Sequence, residues 1–176
     1  MKYYNEFIKI YNKINDPLAI YQWGLRYLNF DEFYDQIPFS ALNNVTVAII
    51  DSGIDKDHED LKEYILNGFN LINNTDDTTD NLGHGTAIAG IIGAKKNNNV
   101  GIAGIASGVN ILPIKIIDSY NEKIPELLIE AISYAIDRKV DVINISLGHM
   151  NNGLKNYDFH YLKIIADESK IIDKAI

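Results

Sequence analysis

The sequence predicts an α/β fold, a parallel sheet covered by helices on both faces in three layers. Two observations carry this. Between residues 45 and 150, short apolar runs rich in β-branched residues alternate with helical patterns. Strand-helix-strand alternation is the signature of a parallel sheet, because each crossover lays a helix on one face or the other. In addition, Pro125 opens one of the helical stretches. At a helix's first turn the missing proline N–H would have been unpaired in any case.

The elements run in this order. Residues 1–44 are mixed, aromatic-rich and weakly periodic. Val45 to Ile50 is the clearest strand, an uninterrupted apolar and β-branched run except for Thr46. Ile65 to Ile72 is a weaker strand, interrupted by Gly68. Asn73 to Asn81 is a polar loop of Asn, Thr and Asp. A helix is expected over Gly83–Ala94, a strand over Asn110–Ile117, a helix over Pro125–Arg138 and a buried strand over Val140–Leu147. Asn151-Asn152-Gly153 reads as a turn. Leu154, Tyr157, Tyr161, Ile164, Ile165, Ile172 and Ile176 then recur at helical spacing.

Composition excludes several classes of function. A formal net charge of −8 argues against a nucleic-acid partner. The absence of cysteine excludes disulfides and thiolate metal sites. No apolar run approaches the roughly 20 residues of a membrane span. Residues Met1 to Ile14 are interrupted by Lys2, Asn5, Glu6, Lys9, Asn12 and Lys13, so they lack a signal peptide's apolar core and point to the cytoplasm.

In parallel sheets, polar residues at the carboxyl ends of strands are the expected site positions. Asp51 is the first, in Ile-Ile-Asp-Ser-Gly-Ile-Asp. Alone it fits a phosphoacceptor, a ribose-binding acid or a turn-capping aspartate. The second motif narrows this choice. Asn81-Leu-Gly-His-Gly-Thr-Ala-Ile-Ala-Gly sets His84 between two glycines, at the start of a helix of small apolar residues. Such glycines permit close backbone approach.

With these motifs the chain resembles the subtilase family, the subtilisin-like serine proteases, in which the triad runs Asp, His, Ser. Asp51 matches the triad aspartate and His84 the triad histidine. Val100-Gly-Ile-Ala-Gly-Ile-Ala and Asp141-Val-Ile-Asn-Ile-Ser-Leu-Gly match two further family segments, and Asn15-Asp-Pro-Leu and Gln22-Trp-Gly-Leu resemble the start of mature members. The resemblance implies that residues 1–44 are an N-terminal extension and the start of the mature domain. Residues 45–176 would be the N-terminal half of a peptidase domain, an incomplete subtilisin-like fold.

The resemblance also implies a site. Ser146, Leu147 and Gly148 would hold an extended peptide as an added strand. Asn121, Glu122 and Lys123 would flank its other side, where the family often has glycines. Ile117 and Leu128 would line an apolar subsite. Calcium is implied as a structural ion, held by Asp16, Asp60 and Asn98 with the carbonyls of Lys96, Val100 and Ile102, an oxygen-only shell of the kind it prefers. The bland alternative is a solvated acidic turn beside an asparagine loop. Asp55, Asp57, His58, Glu59 and Asp60 read as a surface turn rather than a transition-metal site, since His58 is a lone imidazole.

The seven serines are Ser40, Ser52, Ser107, Ser119, Ser133, Ser146 and Ser169, and none has glycine two residues before it. The family's Gly-Thr-Ser nucleophile motif is therefore missing, as is the oxyanion-hole asparagine expected after the 154–176 helix. The expectation is a chain inactive alone. It would be a truncated endopeptidase, a non-catalytic peptide-binding or regulatory pseudoprotease, or half of a split enzyme whose C-terminal half lies on another polypeptide.

Overall fold

A computed structural model describes residues 14–28, 30, 36, 42–118 and 124–147. Within them a 3-10 turn at Ala19–Tyr21 is followed by α1 (Trp23–Tyr27), β1 (Thr46–Asp51), β2 (Phe69–Asn70), α2 (His84–Gly93), β3 (Asn110–Lys115), α3 (Ile124–Asp137) and β4 (Val142–Ile145). The strands form one sheet in the order β2-β3-β1-β4, with every pairing parallel. Among the described residues no helix is long and apolar enough to cross a membrane.

The side-chain alternation of β1 explains the layers. Successive residues of a strand point to opposite faces. Ala48 and Ile50 pack with Leu112 and Ile114 of β3 and with Leu128, Ala131, Ile132 and Ala135 of α3. Val47 and Ile49 pack with Ile111 and with Ala89 of α2. One strand thus feeds two cores, and Val47 to Ile50 are all buried because neither face meets water. The spacing Leu128, Ala131, Ile132, Ala135 is the helical stripe of three- and four-residue steps that turns one side of α3 to the sheet.

Two strands differ from expectation. The segment expected over 65–72 is a strand only at Phe69–Asn70, preceded by a single bridge from Ile65 to Ile111. At Gly68 the backbone passes so close to Pro113 that a β-carbon would stand 2.0 Å from the Pro113 carbonyl oxygen. The strand expected over 140–147 spans Val142–Ile145 and is not buried: Val142 is 50% and Ile145 39% exposed. Among the described residues β4 pairs only with β1, so it is the end of the sheet. The turn at 151–153 and the helix expected over 154–176 lie outside the described residues.

The N-terminal segment is anchored by polar contacts as well as apolar ones. Ile14, Ala19, Leu25 and Phe30 pack with Ala103. The Gln22 amide donates to the Ala103 carbonyl at 2.9 Å and accepts the Ala103 N–H at 2.9 Å, pairing like an added strand residue.

Ile50 is fully buried between β3 and α3, so Ile50→Ala should lower unfolding free energy by about 2–5 kcal/mol. Val142→Thr, on the half-exposed strand, should change it by less than about 0.5 kcal/mol. Urea denaturation followed by circular dichroism checks both. Equal effects would contradict the buried position of β1 and the exposed position of β4.

Candidate active site

Asp51 is the last residue of β1 and is 1% exposed. Its Oδ1 accepts the Ser52 N–H at 2.7 Å. His84 is the first residue of α2. Its Nδ1 stands 2.7 Å from Asp51 Oδ1 and 2.9 Å from Oδ2. An ionised carboxylate only accepts, so Nδ1 carries the hydrogen and Nε2 is left with a lone pair. The imidazole is 54% exposed against an almost wholly buried partner. One side of the ring is therefore fixed in the protein and the other side opens to the surface. That is the arrangement of a general base oriented by a carboxylate.

Two glycines let these elements meet. A β-carbon on Gly85 would lie 2.1 Å from the Gly53 carbonyl oxygen and 3.2 Å from Asp51 Cβ. Gly53 has φ +103°, and a β-carbon there would lie 2.3 Å from the Thr78 carbonyl oxygen. Only glycine holds such a positive φ without strain. The helix start, the turn after β1 and the loop at Thr78 are thus in backbone contact.

The start of α2 is capped from outside the helix. Gly83, at the cap position, has φ 81° and no side chain to accept the first N–H groups. The Gly85 N–H donates to Ser52 Oγ at 2.9 Å, and Ser52 Oγ–H donates to Asp80 Oδ1 at 2.9 Å. Asp80 Oδ1 also accepts the N–H groups of Leu82 (3.0 Å) and Gly83 (2.9 Å). Its Oδ2 accepts the Thr86 N–H at 2.9 Å and the Thr86 hydroxyl at 2.6 Å. Burial acts to raise the Asp80 pKa, but the hydrogen bonds from Thr86, Gly83 and Leu82 outweigh it and hold the carboxyl at about 2.

Sequence reasoning misses Asp80, which reads as part of a polar loop, and Lys115. The latter ends β3 opposite Asp51 and is 3% exposed. Its ammonium donates to the Thr79 carbonyl at 2.6 Å and to Asp118 Oδ1 at 3.1 Å. Asp118 also accepts the Asn81 amide at 2.9 Å. The signal for Lys115 is a cation closing an otherwise apolar strand, Asn-Ile-Leu-Pro-Ile-Lys. For Asp80 it is an acid followed, six residues on, by the threonine of Gly-His-Gly-Thr.

The profile of the subtilase family matches residues 43–172. The chain belongs to the subtilase family. Curated relatives of this subtilase include a thermophilic serine proteinase of Bacillus sp. strain AK1, 36% identical over 128 residues, which covers 73% of this chain and 31% of that protein. Thermitase of Thermoactinomyces vulgaris is 32% identical over 144 residues, covering 80% and 50%. The chain thus spans a third to a half of these relatives. Among solved structures it is similar to the nisin leader peptidase of Lactococcus lactis, with a TM-score of 0.71, 30% identity, and coverage of 90% of this chain and 47% of that one. It is also similar to fervidolysin of Fervidobacterium pennivorans, with a TM-score of 0.67, 25% identity and coverage of 89% and 24%.

Of the other residues expected in the subtilase site, Ser146 and Leu147 stand directly past the Ile50–Ile145 pair, at the sheet end that carries Asp51. Ser146 Oγ accepts the Asn144 amide at 3.0 Å. Leu128 is buried in the core beneath α3, with Ile117 packed against the same cluster. Asn121, Glu122, Lys123 and Gly148 lie outside the described residues.

Asp16 and Asp60 both reach the 96–102 loop. Asp16 accepts the N–H groups of Asn97 (2.8 Å) and Asn98 (3.0 Å). Asp60 accepts the Asn98 amide at 2.8 Å and the Ile102 N–H at 3.0 Å. Asn98 Oδ1 accepts the Val100 N–H at 2.8 Å, and the Lys96 N–H donates to Ser107 Oγ at 2.8 Å. Burial raises the Asp60 pKa above its ordinary value. The Ile102 and Asn98 hydrogen bonds oppose that rise, and the charge of Asp16 adds to it.

The depressed Asp80 pKa fixes a pH dependence. Folding favours the ionised form, so its contribution is complete above the ordinary value of 3.8 and is lost as pH falls through about 2. The stability difference between the natural chain and Asp80→Asn should therefore be constant from pH 7 to 5 and shrink from pH 4 to 2. Urea midpoints across that range measure it. A gap that widens in acid would contradict the carboxylate's role.

Proposed function

We propose that Asp51 and His84 are the carboxylate and the general base of a serine endopeptidase site that hydrolyses peptide bonds in protein substrates. The observation that carries this is the His84 Nδ1 contact of 2.7 and 2.9 Å with the buried Asp51 carboxylate. In this reading His84 Nε2 takes the proton of a serine hydroxyl as that oxygen attacks the scissile carbonyl. The same nitrogen then returns the proton to the leaving amine, and Asp51 stabilises the imidazolium formed between these steps. No segment of the 176 residues has the Gly-Thr-Ser pattern of a nucleophile, so in this reading a serine and an oxyanion donor would have to be supplied from outside them. The substrate would lie extended beside Ser146, Leu147 and Gly148, pairing through main-chain hydrogen bonds. Asn121, Glu122 and Lys123 would stand along its other side.

The test is complementation. The 176-residue chain is combined with a subtilase segment that carries the serine and the oxyanion asparagine, and a chromogenic peptide is offered. In subtilisin itself, loss of the histidine lowers kcat by about 10⁶ and loss of the aspartate by about 10⁴. His84→Ala and Asp51→Ala should reproduce that order in the complemented enzyme. Hydrolysis indifferent to both would sink the assignment.

We infer further that the 96–102 loop, with Asp60 and Asn98, forms a calcium site of this subtilase. Oxygen ligands suit calcium, and a buried carboxylate whose ionised form is disfavoured would gain from a divalent cation. Taking up the ion would replace the hydrogen bond that the Asn98 amide donates to Asp60 and turn the Asn98 oxygen to the ion instead. Asp16, Asp60, the Asn98 side-chain oxygen and the carbonyls of Lys96, Val100 and Ile102 would hold the ion. Its role would be structural, tying the N-terminal segment to the sheet.

Because the folded Asp60 pKa is raised, ionising this group weakens the fold as pH rises through that pKa. Calcium should counter that loss, raising the melting temperature more at pH 7 than at pH 4. At a hundredfold excess over Kd the gain is about 2.7 kcal/mol. Asp60→Ala should abolish the shift. A melting curve unmoved by calcium or chelator at pH 7 would remove the site.

A further inference from the structure

The helix that presents His84 has no cap of its own. Its cap position is Gly83, in a left-handed conformation, and its second and third N–H groups are satisfied by Ser52 and Asp80. Ser52 directly follows Asp51 in the chain, and the Ser52 hydroxyl donates to the same Asp80. One carboxylate therefore grips the residues on both sides of His84, Leu82 and Gly83 before it and Thr86 after it. Through Ser52 it also grips the turn that carries the partner of His84. Thr86 extends the grip, because its hydroxyl accepts the Asp55 N–H at 3.0 Å from beyond that turn.

We propose that Asp80 is the positioning residue of the Asp51–His84 pair. By joining the start of α2 to the Asp51-Ser52-Gly53 turn, it fixes the imidazole ring with Nδ1 on Asp51 and Nε2 outward. The proposal rests on the reading of Asp51 and His84 as carboxylate and general base.

The hydrogen-bond arithmetic supports a role that only a carboxylate fills. Oδ1 accepts three hydrogen bonds and Oδ2 accepts two, all from donors. An asparagine has a single acceptor oxygen, and its NH₂ group would face N–H or O–H donors wherever it was turned. Asp80→Asn must therefore give up either the Thr86 pair or the Ser52, Leu82 and Gly83 set. In both cases one half of the Asp80 link between the helix start and the Asp51 turn is lost and the direct Gly85 N–H to Ser52 Oγ bond is left to carry it, while the two apolar cores beneath the sheet are untouched. A negative charge at a helix N-terminus is itself favourable, and the amide loses that as well.

The experiment is nuclear magnetic resonance of the 176-residue chain with labelled histidine. The natural chain should show His84 as the Nδ1–H tautomer, with a far-downfield Nδ1 proton protected from solvent exchange. Asp80→Asn should speed exchange of that proton at least about tenfold and mix the two tautomers. Amide exchange at Ile114, a buried residue of β3, should stay the same. If Asp80→Asn does not fold, Thr86→Val, which removes one donor to Asp80, should give the same loss at His84, and Thr86→Ser should restore the natural signal.

An unchanged tautomer and exchange rate in folded Asp80→Asn, or in Thr86→Val where the first variant does not fold, would overturn the proposal while leaving the Asp51–His84 pair intact. So would faster exchange at Ile114 matching that at His84, which would make Asp80 a part of general stability. Absence of the Nδ1–H tautomer in the natural chain would overturn the pair and the proposal with it.

Discussion

A β-carbon at position 85 would be driven to 2.1 Å from the Gly53 carbonyl oxygen, and one at position 53 to 2.3 Å from that of Thr78. These approaches bring the end of β1, the start of α2 and the loop between them within backbone contact. The geometry of the whole site depends on that contact. Asp51 is fixed by its strand and His84 by its helix, and a hydrogen bond between two such side chains survives only if the elements cannot drift. A side chain at either glycine would hold them apart.

Close approach also raises an energetic problem. It buries backbone N–H groups at a helix start that has no capping side chain, and buried donors without partners are costly. Ser52 and Asp80 meet this need, and Lys115 does similar work for the loop by tying the Thr79 carbonyl and Asp118 to the end of β3. The polar groups around His84 are thus mostly occupied with one another. The imidazole remains as the exposed group with a lone pair turned outward.

Beneath this polar end the sheet is dry. The even residues of β1 feed the core under α3, and the odd ones feed the core against α2. The helix bearing His84 is therefore held by packing along its length and by hydrogen bonds at its start. Its small residues, Gly85, Ala89, Gly90 and Gly93, are the buried ones and let it lie close. The exposure of Val142 and Ile145 at β4 has the complementary cause, since this strand is paired on one side only among the described residues.

Periodicity and motif alone determined that the chain alternates strand and helix, that β1 ends on an acid, and that a glycine-flanked histidine starts a helix. These are local facts. A β-branched apolar run makes a buried strand through its own side chains, and Gly-His-Gly marks backbone crowding without saying what crowds it. The expected ends of α2 and α3 fall within about a residue of those observed, because their signals lie in adjacent residues. What only the tertiary structure decided is non-local. Asp80 reads as one acid among several in a polar loop; its bonds to Leu82, Gly83 and Thr86 are local, but its bond to Ser52, 28 residues earlier, exists only because the chain folds back on the end of β1. Lys115 reads as a strand's polar end, yet in the fold it is buried, with its ammonium satisfied by the Thr79 carbonyl and Asp118. Val140 to Leu147 reads as core, yet it is half exposed, since burial is set by what lies beside a strand and not by its own composition.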